Sequence, residues 1–263
     1  MEPASRSQLR QATVARSLAL FCRRLGIDEP GLAAPLIEAF CLQGLSSSVP
    51  STRGTYRSVL RRLSGEARPQ LAPRFAGSRA KPPYSPTERT ELYCIARAQR
   101  SHWRARSALA LISLSLGAGL RAGEIVAARR ADVVSSVDGP EVQVRGRLAR
   151  VVPVVGEAAT VLSRLCAGDG DEYLFHPEEA QRSYANFVND FCAHLVSDPS
   201  APRLVVGRAR SSYICGHLAC GTPLSELLEL TGIAEVESLL RYARHVPAGQ
   251  QSKAALRAAL RRP

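Results

Sequence analysis

Arg53, Arg57 and Arg61 recur every four residues, a spacing that puts three guanidinium groups on one face of a helix. No acid lies between them in the chain. A guanidinium holds a phosphate through two parallel hydrogen bonds and does not lose its charge, so the chemistry open to such a face is to grip a polyanion backbone. The whole chain leans the same way. Its 263 residues carry 35 Lys plus Arg, of which only Lys81 and Lys253 are lysines, against 23 acids, for a net charge of +12. GC-rich coding also favours arginine, so placement has to carry the argument.

A second group, Cys215, His217 and Cys220, sets three metal-binding side chains within one helical run. A structural metal centre needs a further ligand pair, and the run is apolar, so these three are expected to pack in a core. Seven cysteines without a paired CxxC read as reduced thiols in a cytoplasm. The longest apolar stretch, Leu109 to Gly119, is too short to span a bilayer, and the start of the chain has no apolar signal region. The expectations are no membrane, no metal and no other cofactor.

The elements that must position these groups are mainly helical. Apolar residues at helical spacing predict helices over Ser7 to Leu25, Gly31 to Leu42 and Thr52 to Leu63. This part, residues 1–80, is a basic domain: up to Tyr84 it has 13 Lys plus Arg and 5 acids, a net of +8, leaving +4 for the remainder. A proline-rich linker at 81–84 follows. Ser85-Pro86-Thr87-Glu88 then combines an N-cap serine, a first-turn proline and a glutamate at the third position, so a helix starts there. The second domain, 85–263, continues with a buried helix over Arg104 to Leu116 and a short one over Ala122 to Ala128. A β-hairpin follows, with Val142 to Arg145 and Arg150 to Val154 as its arms. Further helices are predicted over Glu157 to Cys166, Glu178 to Leu195, Arg208 to Ala219, Pro223 to Leu230 and Glu235 to Tyr242. An amphipathic tail runs over Ser252 to Leu260.

Gly119-Leu120-Arg121-Ala122-Gly123-Glu124-Ile125, with Asp132 after it, resembles the first conserved box of the tyrosine recombinases, the phage integrase family. The second box resembles it too. Arg210 falls where the family has the arginine of its H-x-x-R pair, position 233 lies 23 residues on, and Tyr242 lies 9 beyond that. Thr222 to Gly232 is similar to the segment leading into the family's L-G-H, and Tyr242-Ala243-Arg244-His245-Val246 to its closing tyrosine motif. The resemblance spans roughly residues 85–247.

This resemblance implies a helical, core-binding-like first domain and a catalytic-like second domain with a small sheet. It also implies site-specific breakage and rejoining of double-stranded DNA by homo-oligomers, tetramers on paired sites. By it Tyr242 is the nucleophile, Arg121 and Arg210 hold the scissile phosphate, and Glu124 orients an arginine. Arg208 and Arg244, with Arg53, Arg57 and Arg61, would contact the DNA backbone. Three positions depart from the family pattern: Arg145 stands where the hairpin lysine is expected, Gly207 where the histidine of H-x-x-R is, and Ile233 where a later His or Trp is. An arginine can hold a phosphate but is a poor proton donor. Two readings therefore stay open, a recombinase with altered chemistry, or a relative that binds DNA as an accessory or regulator without cutting it.

Overall fold

The computed structural model describes residues 6–27, 32–65, 80–168, 170–176, 186–195 and 197–246. Contacts divide the chain into two units, Met1–Arg79 and Ala80–Pro263.

The first unit is helical. Helix α1, Arg6–Arg24, and helix α2, Ala34–Ala39, pack with α3, Pro50–Ser64, around Val14, Leu18, Cys22, Ile37, Phe40, Cys41 and Leu60. α2 does not stop at Ala39 but widens into a π-helical turn over Phe40–Gly44, which brings Phe40 to 5.5 Å from the ring of Phe21. α3 begins at Pro50, two residues before the expected Thr52. Proline suits the first helical position because its missing N–H would have no partner there.

The second unit begins at Ala80, and residues 81–84, which the sequence suggests as a linker, are laid against the unit's own core. Tyr84 is buried; its N–H donates to Ser212 Oγ at 2.7 Å, its hydroxyl donates to the Arg203 carbonyl at 2.6 Å, and that hydroxyl accepts from the Val205 N–H at 2.8 Å. Helix α4, Pro86–Arg97, starts on the expected capping box: Glu88 N–H donates to Ser85 Oγ, and Ser85 N–H to the Glu88 carboxylate. α5, His102–Leu116, is buried over Ser107 to Ser115 apart from the half-buried Leu109 and is the axis of this unit, packed by α4, α7 and α9. An apolar helix with no polar face has nowhere to lie but inside.

The chain leaves α5 through Gly117 and Gly119. At Gly119, φ is +59° and an added β-carbon would sit 2.3 Å from the ring of Tyr213, so only glycine makes this turn. α6, Ala122–Ala127, follows at once. The hairpin is found as β2, Gly139–Val144, and β3, Arg150–Pro153, with Val142 opposite Val152. A strand the sequence pattern did not reveal, β1, Val133–Ser136, extends it to a three-stranded antiparallel sheet in the order β1-β2-β3. The remaining helices are α7, Glu157–Leu165; α8, Phe187–Ala193; α9, Val206–Cys220; α10, Leu224–Thr231; and α11, Val236–Ala243. Of the expected helix over Glu178 to Leu195, the first part lies outside the described residues, as does the tail over Ser252 to Leu260. No described helix is long and apolar enough to cross a membrane.

Candidate nucleic-acid cleavage site

Helix α10 ends with three consecutive carbonyls, and each is taken by a different arginine. Arg150 Nε donates to Leu230 O at 2.8 Å, Arg210 Nη2 to Thr231 O at 2.6 Å, and Arg121 Nη2 to Gly232 O at 2.6 Å. The last carbonyls of a helix have no partner within it and carry the negative end of its dipole, so they are natural docking points for cations. Gly232, with φ +60°, turns the chain out of α10 and presents the third of them.

The three arginines come from three places in the chain. Arg121 is the residue just before α6, where its own N–H donates to Glu124 Oε2 at 2.8 Å. Arg210 lies one turn into α9, is only 8% exposed, and also donates to the Gly119 carbonyl. Arg150 opens β3 and closes on Glu124 with Nη1 and Nη2 at 2.9 and 3.0 Å. One carboxylate therefore meets the guanidinium of Arg150, the charge of Arg210 and the backbone N–H of Arg121. Burial, with the charge of Arg121 next, pushes the Arg210 pKa down to about 10. Burial pushes the Glu124 carboxyl up, but the Arg150 hydrogen bonds, the Arg121 N–H and the charges of Arg150 and Arg210 outweigh it and hold the carboxyl below its usual value.

Tyr242, on α11, is buried beside this group and close enough to Arg210 for the two to interact electrostatically. Its hydroxyl accepts from Arg241 Nη2 at 3.3 Å, and the Arg241 guanidinium lies 5.1 Å from its ring centre. The Tyr242 carbonyl is met by Cys215 Sγ at 3.7 Å, which ties α11 to α9. Arg121, Arg210 and Tyr242, scattered over more than 120 residues of sequence, thus share one site.

Arg145 is elsewhere. Its Nε and Nη2 both sit 2.5 Å from Oδ1 of Asp132, a carboxylate 2% exposed whose Oδ2 accepts the Arg129 N–H at 2.8 Å; the Arg145 side chain itself is 61% exposed. Ile233 is a core residue. Arg208 donates to both oxygens of Glu88 at 2.7 and 2.8 Å and lies 4.0 Å from the Tyr84 ring centre, so it clasps the start of α4. Arg244 is exposed, with Nε on the Arg241 carbonyl. In the first unit the three-arginine face of α3 is turned inward. Arg57 and Arg61 reach the two oxygens of Glu38 on α2 at 2.8 and 2.5 Å, and Arg53 donates to the carbonyls of Ser48 and Ser46. The acid missing from the helix is supplied by its neighbour.

Cys215, His217 and Cys220 do not converge: Cys215 is buried, His217 Nδ1 is 3.0 Å from Thr222 Oγ1, and Cys220 is exposed. Among the described residues, no three His, Cys, Asp or Glu side chains are grouped to hold a metal ion.

The residue of this cluster that sequence reading overlooked is Arg150. Val152, two residues on, points into the core with 0% exposure, and strand alternation places Arg150 on that same face. An arginine on an inward strand position demands an acid, and Glu124 meets that demand.

The fold is that of the tyrosine recombinases. The Tn1549 transposon integrase in complex with transposon right end DNA superposes with a TM-score of 0.61 at 15% identity, over 98% of this chain and 95% of that one. The XerH site-specific recombinase bound to a palindromic difH substrate gives 0.61 at 14%, over 94% and 79%. The XerA recombinase gives 0.50 at 17%, over 99% and 94%. No family model and no curated protein matches the sequence.

Proposed function

We propose that this chain breaks and rejoins double-stranded DNA at specific sites, with Tyr242 as nucleophile and with Arg121 and Arg210 holding the scissile phosphate. The observation that carries the reading is the set of three arginines fixed on the last carbonyls of α10 with Tyr242 beside them. In this reaction Tyr242 Oη attacks phosphorus, the bond to O5′ breaks, and a 3′-phosphotyrosine and a 5′-hydroxyl remain. Negative charge grows on the non-bridging oxygens as the fifth bond forms. Guanidinium groups held in place before DNA arrives stabilise that charge without reorganising, and loss of one such donor typically lowers the rate about 100- to 1,000-fold.

The solved relatives bound to transposon end DNA and to a difH substrate support DNA as the partner. Arg145 and Arg244, both exposed, are the arginines of the second unit best placed for backbone contacts. Arg208 serves through the Glu88 clasp, and Arg57 and Arg61 give Glu38 most of what they could give a phosphate. Assembly as a tetramer on paired sites completes the proposal.

A second reading, binding without cleavage, draws on three positions: Gly207 has no side chain to offer, Ile233 is buried, and Arg145 is held by Asp132. The experiment that separates the two uses nicked duplexes selected for binding from a random-sequence pool and looks for a covalent protein–DNA adduct. An adduct that vanishes in Tyr242→Phe, with DNA affinity within about twofold, supports cleavage through Tyr242. Binding with no adduct supports the accessory role, and an adduct that survives Tyr242→Phe overturns the assignment of the nucleophile.

A further inference from the structure

Gly207 leaves a bare position on α9, one turn before Arg210 and on the same side of the helix. The space above it is not empty. A β-carbon added to Gly207 would meet Cδ and Cε of Lys81 at 3.8 and 4.0 Å, and no other described atom outside its own stretch of helix within 4 Å. Lys81 thus lays its stem over the glycine, one helical turn from Arg210. It makes no ion pair among the described residues.

This placement is built, not incidental to a loose end. The His245 ring donates from Nε2 to the Ala80 carbonyl at 3.1 Å, three residues after Tyr242. Arg208 Nε donates to the Pro82 carbonyl at 3.1 Å, and the Tyr84 N–H to Ser212 Oγ at 2.7 Å. Residues 80–84 are therefore fastened along α9 on both sides of Lys81, at one end to the segment that carries the tyrosine. A β-carbon at 207 would sit in ordinary contact with the lysine stem, and a longer side chain would have to share the space with it.

We propose that Lys81 is a phosphate-binding residue of the cleavage site, supplying across the strap the donor that Gly207 cannot. This rests on the reading of the site given above. The ammonium donates a hydrogen bond to a non-bridging oxygen of the phosphate that Arg121 and Arg210 hold. No covalent bond to it is made or broken. A lysine suits the task because its three donors rotate freely on a flexible stem and need no fixed fork geometry.

The test uses the full chain with Lys81→Ala, Lys81→Arg, and Lys81→Ala combined with Gly207→His, the last placing a donor directly on α9 in the space the lysine leaves. Two readouts are taken: binding of inorganic phosphate by titration, and adduct formation on a nicked duplex carrying a 5′-bridging sulfur. Lys81→Ala should weaken phosphate binding about 5- to 10-fold and slow adduct formation by at least as much. Lys81→Arg should keep most of both, and Gly207→His should restore the larger part of what Lys81→Ala loses. Rescue by a residue on another element is what a mere strap-fastening role would not give. Phosphate binding unchanged in Lys81→Ala, or lost without rescue by either variant, overturns the proposal. Weakened and rescued phosphate binding in a protein that forms no adduct at all sustains Lys81 as a phosphate ligand and removes the cleavage reading instead.

Discussion

Arg150 and Glu124 form a two-pronged pair, at 2.9 and 3.0 Å, with side chains 8% and 13% exposed. The pair links β3 to α6, and through Arg150 Nε to the end of α10. Glu124 also caps the backbone of Arg121. Removing one partner of a buried pair leaves the other charged and unmatched, which costs about 3 to 5 kcal/mol. Glu124→Gln should therefore lower the melting temperature of the second unit by roughly 10 °C at neutral pH and cut adduct formation by misplacing Arg121. The pH dependence has a definite sign. The carboxyl of Glu124 is held below 4.5, so its contribution is present above that value and lost as pH falls through the lower, folded-state one. The gap in melting temperature between wild type and Glu124→Gln should close as the buffer is taken below pH 4.5; a constant gap would mean the pair is not what holds β3 to α6.

Arg210 should show the opposite balance between stability and activity. Its pKa is depressed well below the ordinary arginine value, to about 10, so the unfolded chain binds the extra proton between the two and stability rises with pH across that window. At neutral pH the full penalty of the buried charge is present, on the order of 3 kcal/mol. Arg210→Ala removes that penalty and also strands the carbonyls of Gly119 and Thr231, a loss of about 1 to 3 kcal/mol each. The two nearly cancel. Calorimetry should find the melting temperature moved by only a few degrees while adduct formation drops at least about 100-fold. A large fall in melting temperature would mark Arg210 as structural first and phosphate-binding second.

What was legible in the sequence was local. The Ser85–Glu88 capping box spans four residues, and both of its hydrogen bonds are present. The hairpin showed itself through clustered β-branched residues around Gly146. β1 did not, because its four residues leave Val134 exposed and show no clean alternation. At the site, family-like spacing pointed to Arg121, Arg210 and Tyr242, yet nothing in a linear string shows that α10 would offer its last carbonyls to three arginines from the start of α6, from β3 and from α9. The acid that pairs with the arginines of α3 was out of reach for the same reason. Glu38 lies 23 residues before Arg61, too far for any helix-face argument to include it.

The first unit is the place to test that lesson. Arg57 and Arg61, with side chains 9% and 11% exposed, both pair with Glu38. Glu38→Ala would take this carboxylate from two nearly buried cations, so it should destabilise the unit by about 3 kcal/mol or more. Arg53, Arg57 and Arg61 changed together to Ala should cost stability before they cost DNA affinity. Measuring urea unfolding beside DNA binding decides it: affinity lost at unchanged stability would return these arginines to the DNA-contacting role that their spacing suggested.

Arg145 carries the last test, because it stands where relatives of this fold are expected to carry a lysine that protonates the departing O5′. A guanidinium that does not give up its proton cannot do this, and the Arg145 side chain is already engaged by the Asp132 carboxylate at 2.5 Å. Departure of O5′ from ordinary DNA should then be the difficult step. A 5′-bridging sulfur leaves without a proton, so the sulfur substrate should form adduct about 100- to 10,000-fold faster than the oxygen one. Arg145→Lys introduces a side chain that can give up its proton at the same place on the hairpin. It should speed the oxygen substrate at least about tenfold while leaving the sulfur substrate almost unchanged, so the ratio narrows from one side only. If both substrates speed equally, the lysine acts on binding and not on the leaving group. If the ratio is already close to one in the wild type, the proton comes from somewhere other than position 145.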